Sequence, residues 1–148
     1  DVAGNEDLLL IADAGDHRVL GWSPQPGADR DADVLFGQPD FHSSEEWPYG
    51  PHTNDRLRFP YAVCLDHQRL AVADTAINRI LLWDGMPESG AGADHVLAQP
   101  DFGSNGENRW TSVQRDTLCW PYGLSLRGDR MAVADSGNNR VMLWRRRS

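Results

Sequence analysis

Apolar positions in this chain fall in runs of about four residues, and polar, glycine-rich clusters separate them. Leu70-Ala71-Val72-Ala73 and Met131-Ala132-Val133-Ala134 are two such runs, each bounded by Gly, Asp or Asn. They are too short for helices and rich in strand formers, so they predict half- or fully buried strands. A polar turn follows each, at Asp13-Ala14-Gly15-Asp16-His17, at Asp74 to Asn78 and at Asp135-Ser136-Gly137-Asn138-Asn139. Asn, Asp and Gly tolerate left-handed dihedrals, which predicts a tight hairpin. The return strands are Arg18 to Trp22, Arg79 to Trp83 and Arg140 to Trp144. After a Pro/Gly-rich link, Val34-Leu35-Phe36 and His95-Val96-Leu97 predict an outer strand, closed by Gln-Pro-Asp-Phe. Tyr61 to Leu65 and Tyr122 to Leu126 predict one more strand, each introduced by a proline that suits a strand's first residue. The unit therefore holds four strands.

The same residues establish a tandem repeat of 61 residues without a gap. Ala12-Asp13 returns as Ala73-Asp74 and Ala134-Asp135, Arg18 as Arg79 and Arg140, and Trp22 as Trp83 and Trp144. Gln38-Pro39-Asp40-Phe41 returns as Gln99-Pro100-Asp101-Phe102, and Phe59-Pro60-Tyr61 as Trp120-Pro121-Tyr122. The copies run over about 8–68, 69–129 and 130–148. Four-stranded antiparallel units in tandem, with no helical period, predict an all-β chain built as a β-propeller. Closure takes roughly four to eight blades. The expectation is about two and a half blades of a six-bladed ring, with the chain starting and stopping in mid-blade. The remaining blades would come from the same longer polypeptide or from other subunits.

The string Pro-Tyr-Gly-Leu-Ser-Leu followed by Met-Ala-Val-Ala-Asp-Ser-Gly-Asn-Asn-Arg-Val-Met-Leu-Trp closely resembles an NHL repeat. Its most specific part, Ala-Asp-x-x-x-x-Arg-[Val/Ile]-x-x-Trp, occurs three times. The added Gln-Pro-Asp-Phe segment is similar to that of a bacterial NHL-type subgroup with enlarged repeats. The extra length sits in two loops of 17 residues, His42 to Arg58 and Gly103 to Cys119.

Residues that recur in every copy point to architecture. Asp13, Asp74 and Asp135 precede the hairpin turn and Arg18, Arg79 and Arg140 follow it, so each pair is expected to fix one turn through charge-assisted hydrogen bonds. Trp22, Trp83 and Trp144 are expected between adjacent sheets. In Gln-Pro-Asp-Phe the phenylalanine is expected as an anchor and the aspartate as a turn acceptor. His17 replaces the Asn78 and Asn139 of the other copies and reads as an exposed turn residue.

Function is expected where the copies differ. Both long loops should lie on the face that also carries the hairpin turns, and long loops on a rigid scaffold are usual homes of binding residues. Trp47, Tyr49, His52, Arg109 and Trp110 are the candidate contacts for a protein or peptide partner, since aromatics and arginine mixed with carboxylates suit an interface that excludes water. The alternative is part of a propeller enzyme. The resemblance implies metal-dependent lyases and lactonase-like hydrolases with sites near the central channel. His42 and His52 with Glu45 or Glu46 are one conceivable ligand set on a single loop. No two histidines share a register, and no metal site or cofactor is predicted.

Composition narrows the field further. With 14 Lys+Arg against 22 Asp+Glu, the net charge of -8 argues against tracking phosphates, so no nucleic-acid partner is expected. The one basic run, Arg145-Arg146-Arg147, reads as a solvated tail. No apolar run approaches the roughly 18–20 residues of a membrane span. Cys64 and Cys119 are too few for a disulfide scaffold and read as buried thiols. The compartment stays open.

Overall fold

The computed structural model describes residues 1–46, 51–66 and 69–146. The chain is all-β, and the eleven strands among the described residues form three antiparallel sheets arranged as β-propeller blades. The first blade holds β1 (Val2–Gly4), β2 (Leu9–Asp13), β3 (Arg18–Trp22) and β4 (Val34–Phe36) in that order. The second holds β5 (Pro60–Leu65), β6 (Arg69–Asp74), β7 (Arg79–Asp84) and β8 (His95–Leu97). The third holds β9 (Pro121–Arg127), β10 (Arg130–Asp135) and β11 (Arg140–Arg145). Among the described residues no helix is long and apolar enough to cross a membrane.

β1 corrects the expectation that the chain starts in mid-blade. Val2-Ala3-Gly4 pairs with Ile11-Leu10-Leu9 and completes a four-stranded sheet. Three residues beside Asp1 and Asn5-Glu6-Asp7 carry too little pattern to announce a strand, although they fall in register with Val63-Cys64-Leu65 of β5. Arg145, read as tail, is the last residue of β11 and pairs with Asp129 at 3.0 Å.

Because side chains alternate along a strand, the second blade buries both faces. Val63, Leu70, Val72, Leu81 and Trp83 pack against Leu10, Ala12 and Val19 of the first blade. Ala62, Ala71, Ala73, Ile80 and Leu82 pack against Leu126, Met131 and Val133 of the third. The repeat thus alternates a bulky leading face with a smaller trailing one, and the two interlock. Val141 and Leu143, on the trailing face of the third blade, are 66% and 79% exposed, where their counterparts Ile80 and Leu82 are buried.

Trp83 is buried between the first two sheets and its indole N–H donates to Ala91 O at 2.9 Å. Trp144 packs partly against the second core, and Trp22 sits half-buried on the leading face of the first blade. Cys119 is buried and Cys64 half-buried, both as free thiols. Burial pushes the Cys64 thiol up to about 12. Iodoacetamide at about pH 8 is therefore expected to leave Cys64 unlabelled in the folded protein and to label it after denaturation, by intact mass.

Candidate functional site: the loop-bearing face

Each hairpin turn is a short 3-10 segment ending in a left-handed residue, His17, Asn78 or Asn139, with φ of 56°, 56° and 52°. The aspartate before the turn and the arginine after it form one clasp per blade. Arg18 Nε meets Asp13 at 2.9 Å, Arg79 Nε meets Asp74 at 2.8 Å and Arg140 Nε meets Asp135 at 2.6 Å. The clasp reaches well beyond the turn. Arg79 donates to Thr53 O and Arg56 O at the end of one long loop, and to Phe102 O at the start of the next. Arg140 donates to Gln114 O and Thr117 O, the same two register positions one repeat on. Asp74 and Asp135 accept the backbone N–H of Arg58 and Cys119. Burial pushes the Asp74 carboxyl upward, against the pull of the Arg79 guanidinium and the Arg58 N–H.

Gln-Pro-Asp-Phe opens each loop, and its aspartate is the turn acceptor that the sequence predicts. Asp40 Oδ1 accepts from His42 N, Ser43 N and Ser43 Oγ, and Asp101 Oδ1 repeats the set with Gly103 N, Ser104 N and Ser104 Oγ. The phenylalanines differ: Phe102 is half-buried and packs against the first core, as an anchor would, whereas Phe41 is 40% exposed. The buried member is the glutamine. Gln38 Nε2 donates to Glu45 O and Gln99 Nε2 to Gly106 O, each at 2.9 Å, so each amide ties the loop back on itself.

Of the five candidate contacts, Trp47 and Tyr49 lie outside the described residues. His52 and Arg109 are engaged within the protein. His52 Nε2 meets Asn105 Nδ2 at 2.9 Å, which joins the two loops. Burial, with Arg79 and Arg58 nearby, lowers the His52 pKa and favours the neutral ring that can accept this bond. Arg109 donates to Ala98 O and Asp116 O and pairs with Asp116 at 2.9 Å, closing the second loop. Trp110 alone is presented outward, at 76% exposure.

The backbone under Trp110 is unusual. Asn108, Arg109 and Trp110 have φ of 48°, 56° and 56°, a left-handed run that each residue enters at a steric penalty. Arg109 holds it from one side. Asn108 N donates to Leu118 O, and Asn108 Nδ2 donates to Asn138 Oδ1 of the third hairpin at 3.0 Å. Gly106 is required beneath: a Cβ there would stand 2.6 Å from Trp110 Cδ1.

Three more aromatics emerge beside the loops. A register shift at the start of β5 and of β9 leaves Tyr61 and Tyr122 without a ladder partner, and their rings meet edge to face at 4.8 Å. Bulges of this kind re-aim side chains at strand ends. Trp120, at φ 53°, donates its indole N–H to Glu107 at 2.8 Å. Tyr61, Trp120 and Tyr122 are each 42% exposed. Tyr61 and Tyr122 lie at the start of the strands that the sequence predicts, but the bulge that leaves them exposed has no local signature beyond Pro-Tyr.

His42 is exposed whereas His52 faces Asn105, so the conceivable ligand set is not assembled. Among the described residues no three of His, Cys, Asp or Glu gather closely enough to hold a metal. A cleft of about 930 Å³ flanks β11, whose outer edge pairs with no fourth strand among the described residues. No protein-family model matches the chain, and a search of curated proteins finds no match.

Proposed function

We propose that the chain is a binding scaffold whose loop-bearing face captures a protein or peptide partner. One observation carries this reading. The exposed large aromatics among the described residues, Phe41, Tyr61, Trp110, Trp120 and Tyr122, all stand at the end of the blades where the long loops and hairpin turns lie. Tyr and Trp are the residues that dominate binding hot spots, because they bury much area for little lost side-chain freedom. Trp110 is moreover held by a loop fixed through Asn108 and Arg109, so binding it requires little further ordering. The recurring Ala-Asp-x-x-x-x-Arg-[Val/Ile]-x-x-Trp core supports reading the blades as NHL-type repeats, with more blades of the same kind completing a ring.

The test is Trp110→Ala, with Met86→Ala at the opposite end of the blades as control. Met86 is also exposed, in the turn after β7. Partners captured from an extract of the source cells are quantified by mass spectrometry. Trp110→Ala is expected to weaken capture about tenfold or more, with Met86→Ala close to wild type. Equal capture by all three proteins would remove the loop-bearing face from consideration. Trp110→Ala is expected to leave the thermal midpoint almost unchanged, since the side chain is mostly in water.

A further inference from the structure

Between the first and second blades a histidine performs a task that an asparagine performs at the next junction. His17 and Asn78 are one repeat apart, share φ of 56° and are each 4% exposed. The expectation of a solvent-exposed His17 is therefore corrected: the second blade's entry segment covers the turn. Asn78 Oδ1 accepts the backbone N–H of Trp120 at 2.9 Å. His17 Nδ1 accepts the backbone N–H of Phe59 at 3.2 Å. Phe59 and Trp120 are themselves one repeat apart and both left-handed, at φ 50° and 53°. The two junctions thus have the same geometry and differ in one chemical respect. An amide oxygen stays an acceptor across the physiological pH range, whereas an imidazole nitrogen that takes a proton becomes a donor.

We propose that His17 is a pH-sensitive latch on the first long loop. In the neutral ring Nδ1 holds the Phe59 N–H and with it the end of loop 42–58. Protonation sets donor against donor and releases that hold, while the Asn78 junction stays closed.

The surroundings keep the latch shut near neutral pH. The ring lies edge to face on Phe59, with centroids 4.3 Å apart. Asp16 on the same turn, Glu46 in the loop and Asp74 on β6 favour a proton on His17, and Arg58 opposes it. Each of the three carboxylates already meets a guanidinium: Asp16 with Arg18 at 2.8 Å, Glu46 with Arg58 at 2.9 Å and Asp74 with Arg79 at 2.8 Å. Burial prevails and holds His17 below the ordinary imidazole value of 6.5. The unfolded chain therefore takes its proton first as pH falls. The contribution of the latch is whole above about pH 6.5 and is lost as pH drops from there toward the folded value. Gln38 Nε2 reaches His17 O as well as Glu45 O, so the start of the loop hangs from the same turn.

Amide hydrogen exchange tests the latch, with Trp120 as internal reference. Protection of the Phe59 amide, corrected for the intrinsic rate, is expected to fall roughly tenfold relative to Trp120 between about pH 7 and about pH 5. In His17→Asn, which installs the residue of the other two copies, Phe59 protection is expected to hold at both pH values. An equal change at both amides, or a Phe59 loss that persists in His17→Asn, would overturn the proposal. Imidazole nitrogen shifts in the wild-type protein give a second reading: His17 Nδ1 is expected unprotonated at about pH 7, and a protonated Nδ1 there would overturn it equally.

Discussion

Replacing Arg79 by Ala is expected to lower stability by about 3–5 kcal/mol, because it leaves a buried carboxylate without its counter-charge. Asp74 is fully buried and the Arg79 side chain is 1% exposed, so water cannot take over the solvation of either group. The guanidinium also satisfies three backbone carbonyls, Thr53 O, Arg56 O and Phe102 O, and all three lose their charged donor at once. For a chain of this size such a loss corresponds to a fall in thermal midpoint of about 10 °C. Calorimetry should show it. The double variant Asp74→Asn/Arg79→Ala is expected to recover part of the loss, since it removes the stranded charge. Arg18→Ala makes the contrast. Its pair with Asp13 is partly in solvent, and the expected loss is only about 1 kcal/mol. If Arg79→Ala and Arg18→Ala proved equally mild, the clasp would be ornamental to stability.

Trp83→Ala is the other large effect. The indole fills the space between the first two sheets, lies 5.5 Å from the Phe36 ring and spends its N–H on Ala91 O. Truncating a buried tryptophan costs about 3–5 kcal/mol through lost burial and the cavity left behind. Trp22, half-buried on the leading face of the first blade, has no sheet packed over it among the described residues. Its replacement is expected to cost about 1–2 kcal/mol. Urea unfolding followed by far-UV circular dichroism measures both without relying on the fluorescence of the residue removed. Comparable midpoints for the two variants would contradict the sandwiched position assigned to Trp83.

Much of the fold was legible because it repeats. A three-residue run such as His95-Val96-Leu97 says little alone, and becomes a strand when Val34-Leu35-Phe36 stands one period earlier. The Asp–Arg pairs were legible for the same reason. What escaped was fixed by contacts distant in sequence. Glutamine is ordinarily a surface residue, so nothing local announces that Gln38 and Gln99 are buried and tie down loops. His17 looked like any turn residue, and its burial depends on Phe59, whose ring arrives from the next blade and packs against it. His52 and Arg109 carried the right chemistry for an interface, yet His52 Nε2 meets Asn105 and the Arg109 guanidinium is engaged by Ala98 O and Asp116 inside the protein. Of the described candidates, Trp110 remained outward on a loop held by Asn108 and Arg109 rather than by its own side chain.

The clasp has a bearing on how such a protein can diversify. The bonds by which Arg18, Arg79 and Arg140 hold the long loops end on main-chain carbonyls, and the bonds that Asp74 and Asp135 accept from the loops come from main-chain N–H groups. A grip on the main chain is indifferent to the side chains it passes. Loop positions whose side chains do not themselves tie the loop down, as those of Asn108 and Arg109 do, can change between the gripped points. That is the division of labour found here between His42 to Arg58 and Gly103 to Cys119, which follow one register with little sequence in common. The architecture leaves the side chains on the loops free to differ from copy to copy, above a frame that stays the same.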